Sequence, residues 1–266
     1  MSKTIIITGS TDGIGKLTAL KLAKEGHTVY VHGRSEAKVN TLIAEIKESS
    51  NNQNIKGLVA DFSDLDAVSK LAEQIKKEIP KIDILINNAG IFKTKDTLAK
   101  NGLDYRIAVN FLAPYVLTNI IIPNLKNTEA SRIINLSSAA QSPVSKAVLF
   151  GIEQVSDNSS YAQSKLALTM WSFHLAKQEP NITVIAVNPG SLLNTKMANE
   201  AYGQHWSPAE KGVNILYDLA LSEKYKNDTG KYFDNDKGRF SEAHSDAYSQ
   251  EKIANLLMHT DSLLTS

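Results

Sequence analysis

The sequence predicts a single α/β domain built on a doubly wound parallel sheet, with helices on both faces in three layers. Three observations carry this. Strand-like and helix-like segments alternate from the first residues onward. A glycine-rich turn, "TGSTDGIG" (residues 8–15), separates the first strand from the first helix. The run "IDILINNAG" is apolar without alternation, as a strand covered on both faces must be. Strand–helix alternation requires parallel strands joined by right-handed crossovers.

"KTIIITG" is a short β-branched run ending in glycine, the first strand. "IGKLTALKLAKEG" places Ile14, Leu17, Ala19, Leu22 and Ala23 at helical spacing and stops at Gly26. "HTVYVHGR" is the second strand, and "SEAKVNTLIAEIKES" the second helix, with Ser35 as its N-cap. "IKGLVADFS" and "SDLDAVSKLAEQIKKEI" repeat the pair. "IDILINNAG" follows as strand four, and a long helix covers residues 101–124. "SRIINLSS" and "NITVIAVNPG" read as strands five and six, with a helix around Tyr161 between them, and "GKYFDND" as a last short strand. Two segments do not fit the alternation. Residues 139–160 and 191–212 are longer than such connections need, and long loops in α/β domains usually serve function. Both follow strands at one edge of the sheet, where ligands bind, so they are expected to close over a substrate.

Composition excludes several classes. The 266 residues carry 29 Lys and Arg against 28 Asp and Glu, so no basic stripe for nucleic acid or anionic membrane is expected. Cysteine is absent, which removes disulfides, thiolate metal sites and thiol nucleophiles. The six histidines show no metal-ligand spacing, so no metal is expected. The N-terminus lacks a signal-peptide pattern and no apolar run reaches membrane-spanning length, so a cytoplasmic protein with no membrane partner is expected.

The loop Gly9-Ser10-Thr11-Asp12-Gly13-Ile14-Gly15 opens the first βα unit. A nucleotide pyrophosphate needs backbone N–H groups facing it and no side chain in the way. A helix N-terminus supplies the first and glycines the second. A tight turn alone explains one glycine more easily than three. Strand two then ends at Arg34-Ser35, where arginine accommodates a ribose 2′-phosphate and an acid would favour the free hydroxyl. NADP(H) is therefore the expected cofactor, with NAD(H) as the weaker alternative. Lys16 adds positive charge nearby.

These motifs, in order with "DFSD" (61–64), "NNAG" (87–90), Asn110 in "RIAVNFLAP", "INLSS" (134–138), "YAQSK" (161–165) and "NPG" (188–190) with Thr195, resemble the short-chain dehydrogenase/reductase family. The resemblance spans the whole chain and implies a single-domain Rossmann-type fold, closest to the retinol-dehydrogenase-like branch. It implies Asp61 and Phe62 at the adenine, Asn88, Ala89 and Gly90 at the adenosine ribose, and Pro189, Gly190, Leu192 and Thr195 at the nicotinamide. It further implies that Asn110 holds a water through its backbone at a helix kink. Ser138 would face the substrate carbonyl, and Lys165 would bond the nicotinamide ribose. It also implies a homodimer or homotetramer built from the helices around 101–124 and 160–178. Ile120, Ile121, Ile122, Trp171 and Phe173 would be the apolar surplus on those helices. Two spacings depart from the pattern: 23 positions separate Ser138 from Tyr161, and one extra residue precedes Thr195.

Tyr161 and Lys165 stand one helical turn apart, on one face. A free phenol titrates near ~10, too high for efficient proton exchange at neutral pH, and a neighbouring cation lowers it. In an arbitrary helix such a pair is more often structural. Beside a nucleotide loop and the serine pair, it reads as a proton donor and the charge that tunes it. The expected activity is hydride transfer between a nicotinamide and a small carbonyl or alcohol substrate, with Tyr161 as general acid and base, Ser138 bonding the reacting oxygen, and Lys165 and Asn110 in support. An epimerase or dehydratase of the extended branch would need more than the roughly 70 residues that follow Thr195. A non-catalytic NADP-binding regulator would be expected to lack the tyrosine or lysine. His205 and Trp206 lie where a substrate lid would be.

Overall fold

The computed structural model describes residues 1–99 and 101–265. The chain begins with β1 (Thr4–Ile7), α1 (Gly13–Lys24), β2 (Thr28–Gly33), α2 (Glu36–Ser50), β3 (Ile55–Val59), α3 (Leu65–Glu78) and β4 (Ile84–Asn87). A continuous helix follows from Tyr105 to Lys126. It comprises α4 (Tyr105–Ile107), a π turn (Ala108–Leu112) and α5 (Ala113–Lys126). Then come β5 (Arg132–Leu136), α6 (Lys146–Leu149), α7 (Asp157–Gln178), β6 (Thr183–Asn188), α8 (Lys196–Tyr202), α9 (Ala209–Leu221), β7 (Lys231–Asp234), β8 (Arg239–Ser241) and α10 (Gln250–Thr265).

One sheet runs in the order β3-β2-β1-β4-β5-β6-β7-β8. The pairs from β3 to β7 are parallel, and β8 pairs antiparallel with β7. The doubly wound fold expected from the sequence is present, and the antiparallel edge is an addition to it. Strand order reverses between β1 and β4, which opens a crevice at their carboxyl ends. Strand residues alternate between two cores. Ile6, Leu85, Ile133 and Val184 face α3, α5, α7 and α10. Ile5, Ile7, Ile84, Ile86, Ile134 and Ile185 face α1, α2 and α9. Period-two alternation with both faces apolar explains the continuous apolar strands.

Three expectations change. The helix Tyr105–Lys126 has the length and apolar character to cross a bilayer, contrary to the sequence reading. It packs instead into the core, with 67% of its most apolar 18-residue stretch buried. The apolar surplus offered for subunit contact is used inside the chain. Trp171, Phe173 and Ile121 are buried, while Ile120 and Ile122 are half-buried against the same core. The reason is that α10 packs on α7, with Asp261 accepting from Tyr115 Oη at 2.6 Å and the Trp171 ring tilted against Tyr115, centroids 5.5 Å apart. A helix apolar all round is a buried helix. Finally, Lys16 is drawn away from the glycine loop into an ion pair with Glu45 on α2, at 2.8 Å.

The π turn has a local cause. Pro114 lacks an N–H, so it cannot close an α-helical bond onto the Asn110 carbonyl. The turn includes Asn110, the position at which the resemblance implies a kink.

If Trp171 belongs to the monomer core, Trp171→Ala should destabilise the protein by about 3–5 kcal/mol. Denaturant unfolding measured over a hundred-fold range of protein concentration should give the same loss throughout. A loss that vanishes on dilution would return Trp171 to a subunit interface.

Candidate active site

The glycine loop lies between β1 and α1. Gly9 and Gly13 adopt left-handed φ values of 61° and 57°, and the Asp12 side chain caps α1 by accepting from Gly13 N. The loop is pressed against the chain leaving β4. A Cβ on Gly9 would meet Ala89 Cα at 2.6 Å, and one on Gly15 would meet Asn88 Nδ2 at 2.4 Å. Asn88 Nδ2 donates to the carbonyls of Thr8 and Gly9, and Ala89 N donates to Thr8 Oγ1. Asn88 and Ala89 thus brace the loop, and alanine is excluded at positions 9 and 15 by sterics alone. A crevice floored by three glycines at a helix N-terminus fits a dinucleotide pyrophosphate. Ile14 packs into the core, and Thr11 lies with its methyl against Gly33. Ser10 plays a different part from the one expected. It is fully buried, donates to the Ile7 carbonyl and accepts from His32 N, so it anchors the loop from below.

His32 was not singled out by the sequence. Its Nδ1 accepts the Gly9 N–H at 3.1 Å, its Nε2 lies 3.1 Å from the Ala60 carbonyl, and its ring packs on Phe62. Those two partners require a neutral imidazole with the proton on Nε2. One buried ring therefore joins the glycine loop to the segment carrying Asp61 and Phe62. Phe62 is a core side chain, while Asp61 Oδ1 accepts from Ser63 N and Oγ. At the end of β2, Arg34 is exposed and makes no ion pair among the described residues. Ser35 caps α2 through its Oγ, as expected.

The helix α7 carries Tyr161 and Lys165 into the crevice beyond β4 and β5. Lys165 is buried, and its Nζ donates to the Leu136 carbonyl at 2.7 Å and lies 5.6 Å from the Tyr161 ring centroid. Burial lowers the Lys165 pKa to about 7. A Cβ on Gly90 would lie 3.4 Å from both Lys165 Nζ and Asn110 Oδ1, so the glycine leaves room where the three meet. Asn110 clamps Ile91 by both backbone groups, with Oδ1 accepting from Ile91 N and Nδ2 donating to Ile91 O. Its Nδ2 also donates to Ser164 Oγ, which in turn donates to the Tyr161 carbonyl. The Tyr161 ring is half-buried and stands edge-to-face on Phe92. Ser138 is half-buried two residues beyond Leu136, and its carbonyl accepts from Tyr232 Oη and Gln141 Nε2. Burial, Asp234 and Asp236 raise the Tyr232 pKa, and nearby Tyr161 adds to the rise. Ser138, Tyr161, Lys165 and Asn110 are thus brought to one end of the sheet.

Beyond β6, Gly190 has φ 125° and Leu192 φ 48°, the latter uncommon for a residue with a Cβ. The Leu192 carbonyl accepts from Trp206 N and Ser207 N, which folds the segment 191–207 back on itself. Thr195 caps α8 through Oγ1, and its methyl lies 3.8 Å from the Cβ position of Gly13. The extra residue before Thr195 is therefore absorbed, and Thr195 still faces the glycine loop. Both unusual segments start at the carboxyl edge of the sheet, as expected, after β5 and β6. Within them, Trp206 is exposed and His205 Nδ1 lies 3.2 Å from Asn199 Oδ1.

The family model for the short chain dehydrogenases matches residues 3–205. The chain belongs to that family of oxidoreductases. Retinol dehydrogenase 13 of Mus musculus is 32% identical over 277 residues, covering 96% of this chain and 81% of its own length. Polyprenol dehydrogenase of Homo sapiens is 30% identical, covering 75% of this chain and 63% of its own. The resemblance to the retinol dehydrogenases within the family therefore holds. Among solved structures, a protein from Mycobacterium paratuberculosis has a TM-score of 0.80 at 23% identity, over 99% of this chain and 94% of its own. A short chain dehydrogenase from Shigella flexneri, solved with NADP, has a TM-score of 0.70 at 24% identity, over 88% of this chain and 97% of its own. At these identities the likeness is one of fold.

His32 makes an acid-range prediction. Burial lowers its pKa from 6.5 to about 4, against the opposing pull of the Ala60 hydrogen bond and Asp61. The unfolded chain then binds the extra proton between those values, so stability present above 6.5 falls as pH drops towards 4. The loss attributable to His32 is roughly 3 kcal/mol. Unfolding curves for the protein and for His32→Asn should diverge above pH 6.5 and converge near 4. A constant difference across that range would show that the imidazole is not held neutral.

Proposed function

We propose that this protein is an NADP(H)-dependent oxidoreductase that interconverts an alcohol and a carbonyl compound, with Tyr161 as general acid and base. One observation carries the reading: Lys165 is buried beside Tyr161 and Gly90, at the end of the crevice floored by the glycine loop. When bound, the nicotinamide supplies the hydride in reduction and accepts it in oxidation. The residues of the chain do the rest. Gly9, Gly13 and Gly15 leave space for the pyrophosphate. Arg34, exposed and without an ion pair among the described residues, takes the 2′-phosphate, with the Ser35 hydroxyl beside it. Asp61 takes the adenine through its carboxylate, and Asn88, Ala89 and Gly90 line the ribose. Pro189, Gly190, Leu192 and Thr195 enclose the nicotinamide end.

Tyr161 Oη gives its proton to the carbonyl oxygen in reduction and takes it from the alcohol in oxidation. Ser138 Oγ donates to the same oxygen and stabilises charge that develops there. Protonated Lys165 favours the phenolate of Tyr161. A lysine whose pKa sits near 7 exchanges its proton readily at neutral pH, which suits a group next to the proton donor. Asn110 holds the π turn to Ile91 and, through Ser164, the backbone of Tyr161. The substrate class is an apolar to moderately polar alcohol or carbonyl. The Phe92 ring beside Tyr161 supports this, as do relatives whose names refer to retinol and polyprenol.

Tyr161→Phe keeps the ring and removes the hydroxyl. Turnover of any accepted substrate should fall by roughly 10²–10⁴ while NADPH affinity, read by fluorescence titration, is retained. Lys165→Met should lose turnover as well, and should bind NADPH more weakly. A Tyr161→Phe enzyme of near-normal rate would remove Tyr161 from the chemistry.

Cofactor choice is a separate matter. A charge-assisted contact from Arg34 to the 2′-phosphate is worth about 1.5–3 kcal/mol, ten-fold or more in affinity. Arg34→Asp should therefore turn a preference for NADPH into one for NADH. Tighter binding of NADH by the unaltered protein would overturn the assignment of Arg34.

A further inference from the structure

Three polar residues in a row, Asp234 at the end of β7 and Asn235 and Asp236 in the turn to β8, mark this edge of the sheet. All three reach across to the chain leaving β6. Asp234 Oδ1 accepts from Asn188 Nδ2 at 3.0 Å. Asn235 Nδ2 donates to the Pro189 carbonyl at 2.8 Å and to the Lys211 carbonyl at 3.1 Å. Asp236 makes the densest contacts. Its Oδ2 accepts from Ser191 Oγ at 2.5 Å and from Asn188 Nδ2 at 2.9 Å, and its Oδ1 accepts from Ser191 N at 2.9 Å. Lys211 Nζ stands 3.4 Å from the same Oδ1. Each of these partners is a donor, and Asp234 shares the Asn188 amide with Asp236. Partial burial raises its pKa, but the Ser191, Asn188 and Lys211 bonds outweigh this and hold it below its ordinary value.

The segment so held has a backbone that needs holding. Ser191 stands between Gly190 and Leu192, both at positive φ. A left-handed residue bearing a side chain persists only where its surroundings over-determine it. Asp236 bonds both the backbone and the side chain of the residue next to it. Four residues beyond Ser191 lies Thr195, facing Gly13. The carboxylate therefore sets how this stretch sits over the glycine loop, although nothing in its contacts brings it to the crevice itself.

We infer that Asp236 is a positioning residue for the nicotinamide end of the cofactor, acting through Ser191. The inference rests on the dinucleotide reading above. Its signature is ligand-selective. A residue that only stabilised the fold would affect every nucleotide equally. One that shapes segment 189–195 should matter only to ligands that carry the nicotinamide ring.

The test compares NADPH with 2′-phospho-ADP-ribose, which lacks that ring, by calorimetric titration of the intact protein. Asp236→Asn is close in size but turns an NH2 towards a ring of donors. It should weaken NADPH by about ten-fold or more, as loss of charged hydrogen bonds does, and leave 2′-phospho-ADP-ribose within about two-fold. Ser191→Ala removes one of the bonds and should give a smaller loss of the same selectivity. It also serves as the second variant should Asp236→Asn not fold. Unchanged NADPH affinity in a folded variant, or equal weakening of both ligands, would overturn the inference while the dinucleotide reading stands. Failure of the unaltered protein to bind either ligand would overturn that reading and this inference together.

Discussion

Burial of the Lys165 amine is the constraint around which the crevice end of α7 is arranged. An ammonium taken out of water costs free energy unless hydrogen bonds replace its hydration. Here the Leu136 carbonyl, at the end of β5, is the partner at 2.7 Å. That bond fixes α7 against the sheet edge and so fixes Tyr161, one turn away, and Ser138, two residues beyond Leu136. It also requires space, and the glycine at position 90 provides it. The solvation deficit remains visible in a lysine whose pKa is lowered to about 7. A fold selected for stability alone would place an apolar side chain there.

Behind the residues that face the crevice stands a second tier of polar side chains. Asn87 donates to Thr118 Oγ1 and to Asn135 Oδ1, and Asn135 Nδ2 donates to Ser172 Oγ. Ser137 shares a hydrogen bond with Thr169. His32 and Ser10 do the same under the glycine loop. These groups are buried, and their hydrogen bonds favour a single geometry where apolar packing would allow several; within this tier Asn87 Oδ1 has no hydrogen-bond partner among the described residues. The crevice is thus formed by glycines and small residues and stiffened by a layer that does not enter it.

The family match covers residues 3–205, yet the remainder of the chain is part of the same architecture. Strand β7 extends the sheet, and Tyr232 on it bonds the Ser138 carbonyl. The turn after β7 clamps the segment following β6. Helix α10 covers α7 and converts what would be an apolar outer face into core, with Ile253, Leu256 and Leu257 buried. The C-terminal quarter therefore supports the site from one side of the sheet while the glycine loop closes it from the other.

Local features were legible in the sequence because local geometry controls them. Gly9 and Gly13 at positive φ, Ser35 as a cap, and Tyr161 one turn before Lys165 are each determined by residues within about a turn of themselves. The alternation of strands and helices likewise determined a parallel sheet, and with it the edge where the site lies. What the sequence could not determine were pairings between residues far apart along the chain. Lys16 bonds Glu45 and not the crevice, Ser10 is sealed under His32, Trp171 packs on Tyr115 of α5, and Asp236 reaches back 45 positions to Ser191. Donors and acceptors of the same kinds occur throughout the chain, so their types do not specify their partners. Only closure of the sheet, which brings the ends of β5, β6 and β7 side by side, decides which of them meet.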